Sequence, residues 1–322
     1  MNVKDTIGNT PLVILENINP YKHIELYAKL EFFNPSGSVK DRIVKYIIED
    51  AEKRGLLKPG GTIVENTSGN TGAAVATIAA INGYKAILTM PDKVSKEKQN
   101  TLKALGAEIV VTPTSAPSDS PENYVNTAKR IAAEMPNSFR INQYDNPLNP
   151  EAHYKSTGPE IWEQTQGRVT HYVAAGSTGG TISGVGRFLK EKNPDIFTLM
   201  PDPIGSIYYD YFKTGKINPN AIGIYNVEGV GEDHIAEAMD FSLVDEMIQF
   251  TDQDAFTMAR RLAREEGILG GGTGGANIWA ALQLAAKLTE PAVIVAIIPD
   301  NGIKYLSKFY NDEWMLKNGF ET

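Results

Sequence analysis

The sequence predicts an α/β protein of two lobes, each built on a mainly parallel sheet flanked by helices. Three observations lead there. Short β-branched runs alternate with stretches of helical periodicity along most of the chain; three glycine-containing loops each fall just before a predicted helix; and one turn-rich stretch, 145–150, interrupts the alternation. Repeated strand–helix–strand units require parallel pairing with both sheet faces covered, because each crossover lays a helix on a face. A chain of 322 residues is long enough for one large or two medium domains, and it buries enough surface to need no covalent or metal staple.

The elements follow in order. Over 39–54, Val39, Ile43 and Ile47 recur four apart with Val44 and Ile48 beside them, which makes one apolar helical face. Residues 62–64 are a short β-branched strand, and 71–81 is an alanine-rich helix. Strands are predicted at 85–89, 108–112 and 138–141, with helices between them at 95–105 and 122–133. After the turn-rich stretch the pattern resumes with helices at 151–162 and 181–191 bracketing a strand at 172–175. Helices at 252–266 and 276–288 and a strand at 292–298 complete it. Ligands in such folds sit at the carboxyl ends of strands.

Composition narrows the chemistry. Hydrophobic residues at 42% and charged ones at 22% are globular figures that exclude a disordered or fibrous chain. With no cysteine there is no disulfide, thiolate zinc site, cysteine nucleophile or iron–sulfur cluster. A formal charge of −8 argues against nucleic acid or an anionic membrane as the main partner. Residues 1–11 lack the apolar run of a signal peptide, and the longest apolar run found, 292–298, is far shorter than the roughly 20 residues a bilayer requires. A soluble, cytoplasmic protein is expected. The four histidines, His23, His153, His171 and His234, are scattered without metal-ligand spacing, so they are read as structural and no metal site is expected.

Three loops carry candidate chemistry. Gly37-Ser38-Val39-Lys40-Asp41-Arg42 puts a lysine in the opening turn of an apolar helix. Lys40 is either a solvated lysine or one whose pKa the helix dipole and burial lower, as a Schiff-base or general-base lysine requires. Thr67-Ser68-Gly69-Asn70-Thr71-Gly72 joins a strand to a helix. Backbone N–H groups at such a junction point at an incoming anion, and the hydroxyls and amide add donors able to grip a carboxylate; the alternative is an ordinary capped turn. Gly176-Ser177-Thr178-Gly179-Gly180-Thr181 is the third, again strand to helix. Its small residues let backbone approach a phosphate, and it lacks the Gly-Lys-Ser/Thr ending of nucleoside-triphosphate loops, so a phosphate monoester fits it better. Gly270 to Gly275 formally satisfies G-x-G-x-x-G, but the segment before it reads as a helix rather than a strand, so a dinucleotide site is rejected.

Together these loops resemble the fold-type II pyridoxal-phosphate enzymes, the tryptophan synthase β-like family that includes cysteine synthase and cystathionine β-synthase. The likeness runs through Ile7-Gly8-Asn9-Thr10-Pro11-Leu12, Asn34-Pro35-Ser36-Gly37-Ser38-Val39-Lys40-Asp41-Arg42, Ser68-Gly69-Asn70-Thr71-Gly72, the glycine-rich loop near 180 and Pro299-Asp300. The resemblance implies pyridoxal 5'-phosphate as cofactor. It makes Lys40 the lysine that forms the Schiff base and shuttles the Cα proton, and Asn70 the partner of the ring hydroxyl. Thr67, Ser68, Gly69, Thr71 and Gln143 become the substrate-carboxylate site. Ser177, Thr178, Gly179, Gly180 and Thr181 become the phosphate cup, with Ser177 where the family more often has glycine. Thr273 becomes the hydroxyl facing the pyridine nitrogen, where a neutral group makes a weaker electron sink than a carboxylate and favours loss of a β-substituent. It also implies a smaller mobile substrate-binding domain over 43–147, a larger cofactor-binding domain over 1–42 plus 148–322, and a homodimer.

Within the family, Gln143-Tyr144-Asp145-Asn146-Pro147, Val227 through Asp233 and Lys308 through Met315 are most similar to the catalytic core of bacterial cystathionine β-synthases. The expected reaction joins L-serine and L-homocysteine into L-cystathionine and water, with no haem segment or regulatory pair. Tyr144 is expected to assist catalysis, and Glu232 to meet the acceptor's ammonium group. The rivals are a cysteine synthase using O-acetylserine and sulfide, and a catalytically silent binding module on the same fold.

Overall fold

The computed structural model describes all 322 residues, Met1–Thr322. Along the chain come β1 (Leu12–Ile14), β2 (Ile24–Leu30), α1 (Lys40–Lys53), β3 (Thr62–Asn66), α2 (Asn70–Asn82), β4 (Lys85–Pro91), α3 (Lys96–Ala104), β5 (Glu108–Thr112), α4 (Tyr124–Glu134) and β6 (Ser138–Arg140). Then follow α5 (Leu148–Lys155), α6 (Thr157–Gln164), β7 (His171–Val173), α7 (Gly180–Lys192), β8 (Phe197–Pro203), α8 (Tyr208–Thr214), β9 (Glu246–Phe250), α9 (Asp252–Glu265), α10 (Gly272–Ala285), β10 (Ala292–Ile298) and α11 (Asp312–Lys317).

Packing divides these into two compact units: Met1–Gly8 with Asn34–Leu148, and Asn9–Phe33 with Asn149–Thr322. The first carries a four-stranded, wholly parallel sheet in the order β5-β4-β3-β6. The second carries six strands in the order β1-β2-β10-β7-β8-β9, parallel except for the β1–β2 pair. The fold class is the one the alternation predicts. The boundary is not: residues 1–8 and 34–42, expected with the larger domain, group with the four-stranded unit. Residues 40–42 go with that unit as the first turn of α1, a continuous helix from Lys40 that packs along α2.

Each unit has its own core. In the smaller, every residue of α2 from Thr71 to Ala79 is buried, and the alanines let that helix lie close on the sheet. In the larger, all seven residues of β10 are buried between β2 and β7, and Leu26, Ala28, Ile278, Ala281, Ile294 and Ala296 meet in one cluster.

Two helices differ from expectation. The one read over 151–162 is two, α5 and α6, broken at Ser156. Pro159 explains the break, since its ring would strike the carbonyl of residue 155 and it has no N–H to donate there. α10 begins at Gly272 rather than 276, so Thr273 lies in its first turn. The glycines serve packing: a Cβ on Gly275 would stand 2.1 Å from the Ala255 carbonyl oxygen of α9. As expected, a helix (α9) precedes the glycine run, which contradicts the dinucleotide geometry.

Candidate active site

In the smaller unit, Lys40 is held by the turn before it. Gly37 takes the left-handed φ of +80°, and its N–H donates to the Asn34 carbonyl at 2.8 Å. Asp41, fully buried, accepts from the Ser36 backbone N–H at 2.7 Å and from the Ser36 hydroxyl. A buried acid in the first turn suits the positive end of the helix dipole and closes the Asn34–Val39 turn on itself. Lys40 is thereby placed, half-buried, as the first residue of α1.

The loop from β3 to α2 presents Thr67, Ser68 and Asn70 half-buried and Gly69 exposed; Thr71 is buried. Its start is an extension of the sheet, the Thr67 N–H donating to Thr89 at 3.1 Å. The Thr71 hydroxyl donates to Gln143 Oε1 at 2.7 Å, so two residues 72 apart in sequence, both expected at the substrate carboxylate, do meet. Tyr144 follows, half-buried. Behind them lies Glu65, which sequence reasoning missed. Its carboxylate accepts from the Asn142 N–H at 2.9 Å, and burial pushes its pKa up to about 7.

In the larger unit, the loop between β7 and α7 is built on tight contacts. Gly179 has φ +82°, and a Cβ there would stand 2.5 Å from Met239; one on Gly180 would stand 1.8 Å from Asn149 Oδ1. The Asn149 amide donates to the Thr178 hydroxyl at 3.0 Å, and His153 Nε2 lies 3.2 Å from the Thr181 hydroxyl. His153 is 1% exposed. The Ser177 carbonyl accepts from the buried Tyr208 hydroxyl at 2.6 Å. Asn149 lies inside the turn-rich stretch 145–150, and no sequence signal marks it or Tyr208.

Two expected positions have specific partners. The Ser177 hydroxyl donates to Glu232 Oε1 at 2.5 Å, and the Glu232 side chain is only 14% exposed. Glu232 is therefore tied to the loop it was not expected to touch. The Thr273 hydroxyl donates to the Glu228 carbonyl at 2.9 Å, and the Glu228 side chain pairs with Lys308. Glu232, Asp233 and His234 bring ligand atoms within 4.8 Å of one another, but they are three consecutive residues whose one half-buried carboxylate Ser177 already engages.

A sequence model described as pyridoxal-phosphate dependent enzyme matches residues 3–300. The chain belongs to that family. It is 47% identical over 321 residues to the cystathionine beta-synthase of Apis mellifera, covering 99% of this chain and 63% of that protein. The chain thus spans under two thirds of that relative's length. It is 44% identical over 309 residues to a probable cysteine synthase of Bacillus subtilis (strain 168), covering 95% of this chain and 96% of that one. Among solved structures it matches O-ureido-L-serine synthase, with TM-score 0.87 and 36% identity over 99% of this chain and 95% of that one.

The residues present fit the pyridoxal phosphate of this family. A phosphate monoester suits a loop whose glycines are packed too tightly for side chains and which opens a 13-residue helix, because the first N–H groups of a helix have no partner within it. In the smaller unit, Lys40 supplies an amine and Asn70 an amide, both at helix starts. No helix is long and apolar enough to cross a membrane.

Proposed function

We propose that the chain joins L-serine to L-homocysteine, giving L-cystathionine and water. The Cβ–O bond of serine breaks, a Cβ–S bond to homocysteine forms, and the thiol and Cα protons are accounted for by the water released and by return of a proton to Cα. Bound pyridoxal phosphate supplies the electron sink for this β-replacement. The protein supplies the rest. Lys40 holds the cofactor covalently and carries the Cα proton, which one amine can do in turn. Thr67, Ser68, Gly69, Thr71 and Gln143 hold the amino-acid carboxylate, Asn70 the ring hydroxyl, the Ser177–Thr181 loop the phosphate, and Thr273 meets the ring nitrogen. Tyr144 offers its hydroxyl to the polar end of the acceptor and also assists departure of the serine hydroxyl. A cytoplasmic homodimer belongs to the same reading, supported by the likeness of its motifs.

The observation that carries the reading is the likeness to cystathionine beta-synthase over 99% of this chain and 63% of that relative, and the hydrogen bond between Thr71 and Gln143, both expected at the substrate carboxylate, supports it. A second reading, cysteine synthase from O-acetylserine and sulfide, draws on the Bacillus subtilis relative, which the chain covers almost end to end. A steady-state assay crossing serine and O-acetylserine with homocysteine and sulfide separates them. Preference for serine with homocysteine is expected; turnover restricted to O-acetylserine with sulfide would move the function to the second reading.

A further inference from the structure

The β3–β6 ladder ends at the pair Val64–Arg140. β3 continues to Glu65, which is 1% exposed, while the partner chain turns away through Asn142. Where the next ladder bond would fall, the Glu65 carboxylate takes it: Oε2 accepts the Asn142 N–H at 2.9 Å. Asn142 sits at φ +52°, a left-handed conformation that asparagine tolerates better than most residues and that the bond to Glu65 helps to fix. The next residue is Gln143, 7% exposed, whose side-chain oxygen receives the Thr71 hydroxyl at 2.7 Å. The same strand that carries Glu65 runs on through Asn66 into Thr67 and Ser68, and Asn66 accepts from Arg140 at 2.8 Å. Glu65 therefore stands between the strand that feeds the binding loop and the turn that carries Gln143.

Glu65 Oε1 is buried without a hydrogen-bond partner, an arrangement that costs stability. Burial is the main influence raising its pKa, opposed by the Asn142, Gln143 and Ile141 amides and the Arg140 charge.

We propose that Glu65 is a positioning residue for the substrate carboxylate: it holds the Asn142 turn in the left-handed form that delivers Gln143 to Thr71. This rests on the reading of Thr71 and Gln143 as carboxylate-binding groups. The test uses the holoenzyme loaded with pyridoxal phosphate and follows the cofactor's absorbance while either L-serine or ethanolamine, which is serine without its carboxylate, is added. The titrations are run at pH 8, above the pKa of about 7 to which burial raises Glu65, so that the wild-type group carries its charge. Glu65→Gln keeps the volume and an acceptor oxygen but removes the carboxylate. It is expected to raise the dissociation constant for serine about tenfold, the effect of weakening one hydrogen bond to a charged group, and to leave ethanolamine within about twofold. Asn142→Ala strains the same turn while leaving the Glu65 side chain itself unaltered, and it decides the matter should Glu65→Gln fail to fold; the same split between the two ligands is expected. Equal weakening of both ligands, or no change for serine in either variant, overturns the proposal. If wild-type holoenzyme gives no spectral response to serine at all, the functional reading beneath it falls first, and the proposal falls with it.

Discussion

Lys40 owes its place to its neighbour, because the Asp41 carboxylate that ties back to Ser36 is what sets the helix start. Lys40→Ala leaves that bond intact, so the variant is expected to fold, to lose the cofactor that borohydride would otherwise fix to residue 40, and to lose roughly a thousandfold or more in turnover. Peptide mass spectrometry after reduction, beside a rate assay, checks both; near-normal turnover would refute the assignment. Tyr144→Phe removes a hydroxyl that a polar acceptor could use and sulfide cannot. It is expected to depress cystathionine formation more than sulfide addition, and an equal loss with both acceptors would remove Tyr144 from the acceptor site. The candidate residues legible in the sequence are those at strand-to-helix junctions, where glycine and hydroxyl side chains interrupt an apolar pattern. Glu65 was not legible. An acid inside Thr-Ile-Val-Glu-Asn looks like an exposed strand position, and its burial follows from where a different strand, β6, happens to stop. Glu232 was singled out as a charge on a loop; the serine that engages it lies 55 residues away and is not visible from either segment.

Among the elements, those with clean periodicity were legible nearly to the residue; β5 and β10 match their expected ranges. The ones missed break a local rule for a tertiary reason. β8 contains Pro201 and Pro203, residues that argue against a strand with neighbours on both sides. Its ladder with β7 ends at Leu199, and the Ile204 N–H donates towards β9, so the alternate positions 201 and 203 face the side where no ladder continues. β2 hides a charge, Lys29, which is fully buried because Glu160, Gln164 and the Thr10 carbonyl take its three protons. The α9–α10 contact invites a direct test. Gly275→Ala drives a methyl group into backbone, which cannot swing aside as a side chain can, and is expected to cost about 2 kcal/mol or more. The urea midpoint reads the loss; an unchanged midpoint would show that the two helices can slide apart freely.

For the whole molecule, the buried acids set the pH response. Burial pushes both Glu65 and Asp202 up to about 7, well above the range of carboxylates in an unfolded chain. Between pH 4 and 7 the folded state therefore holds protons that the unfolded state has released. The stability linked to these two groups is complete below about pH 4 and is lost as pH rises through 7. Glu25, Glu265 and Asp312, held down by their arginine partners, act oppositely: what they contribute is present above the ordinary carboxylate range and lost in acid. Urea unfolding at pH 5.5 and pH 8 is expected to give the higher midpoint at the lower pH, and Asp202→Asn to narrow that gap; a wild-type midpoint that rises towards pH 8 would contradict it. The order of the larger sheet has a further consequence, for synthesis. Its central strand, β10, joins β2 to β7, yet β2 is complete by residue 30 and β10 only at residue 298. The four-stranded unit has all its strands by residue 140 and can settle as it emerges. β2, which has only β1 beside it until then, must wait on the ribosome for a partner made last, for some 10 to 60 s at about 5–20 residues per second, with its other edge open to chaperones throughout.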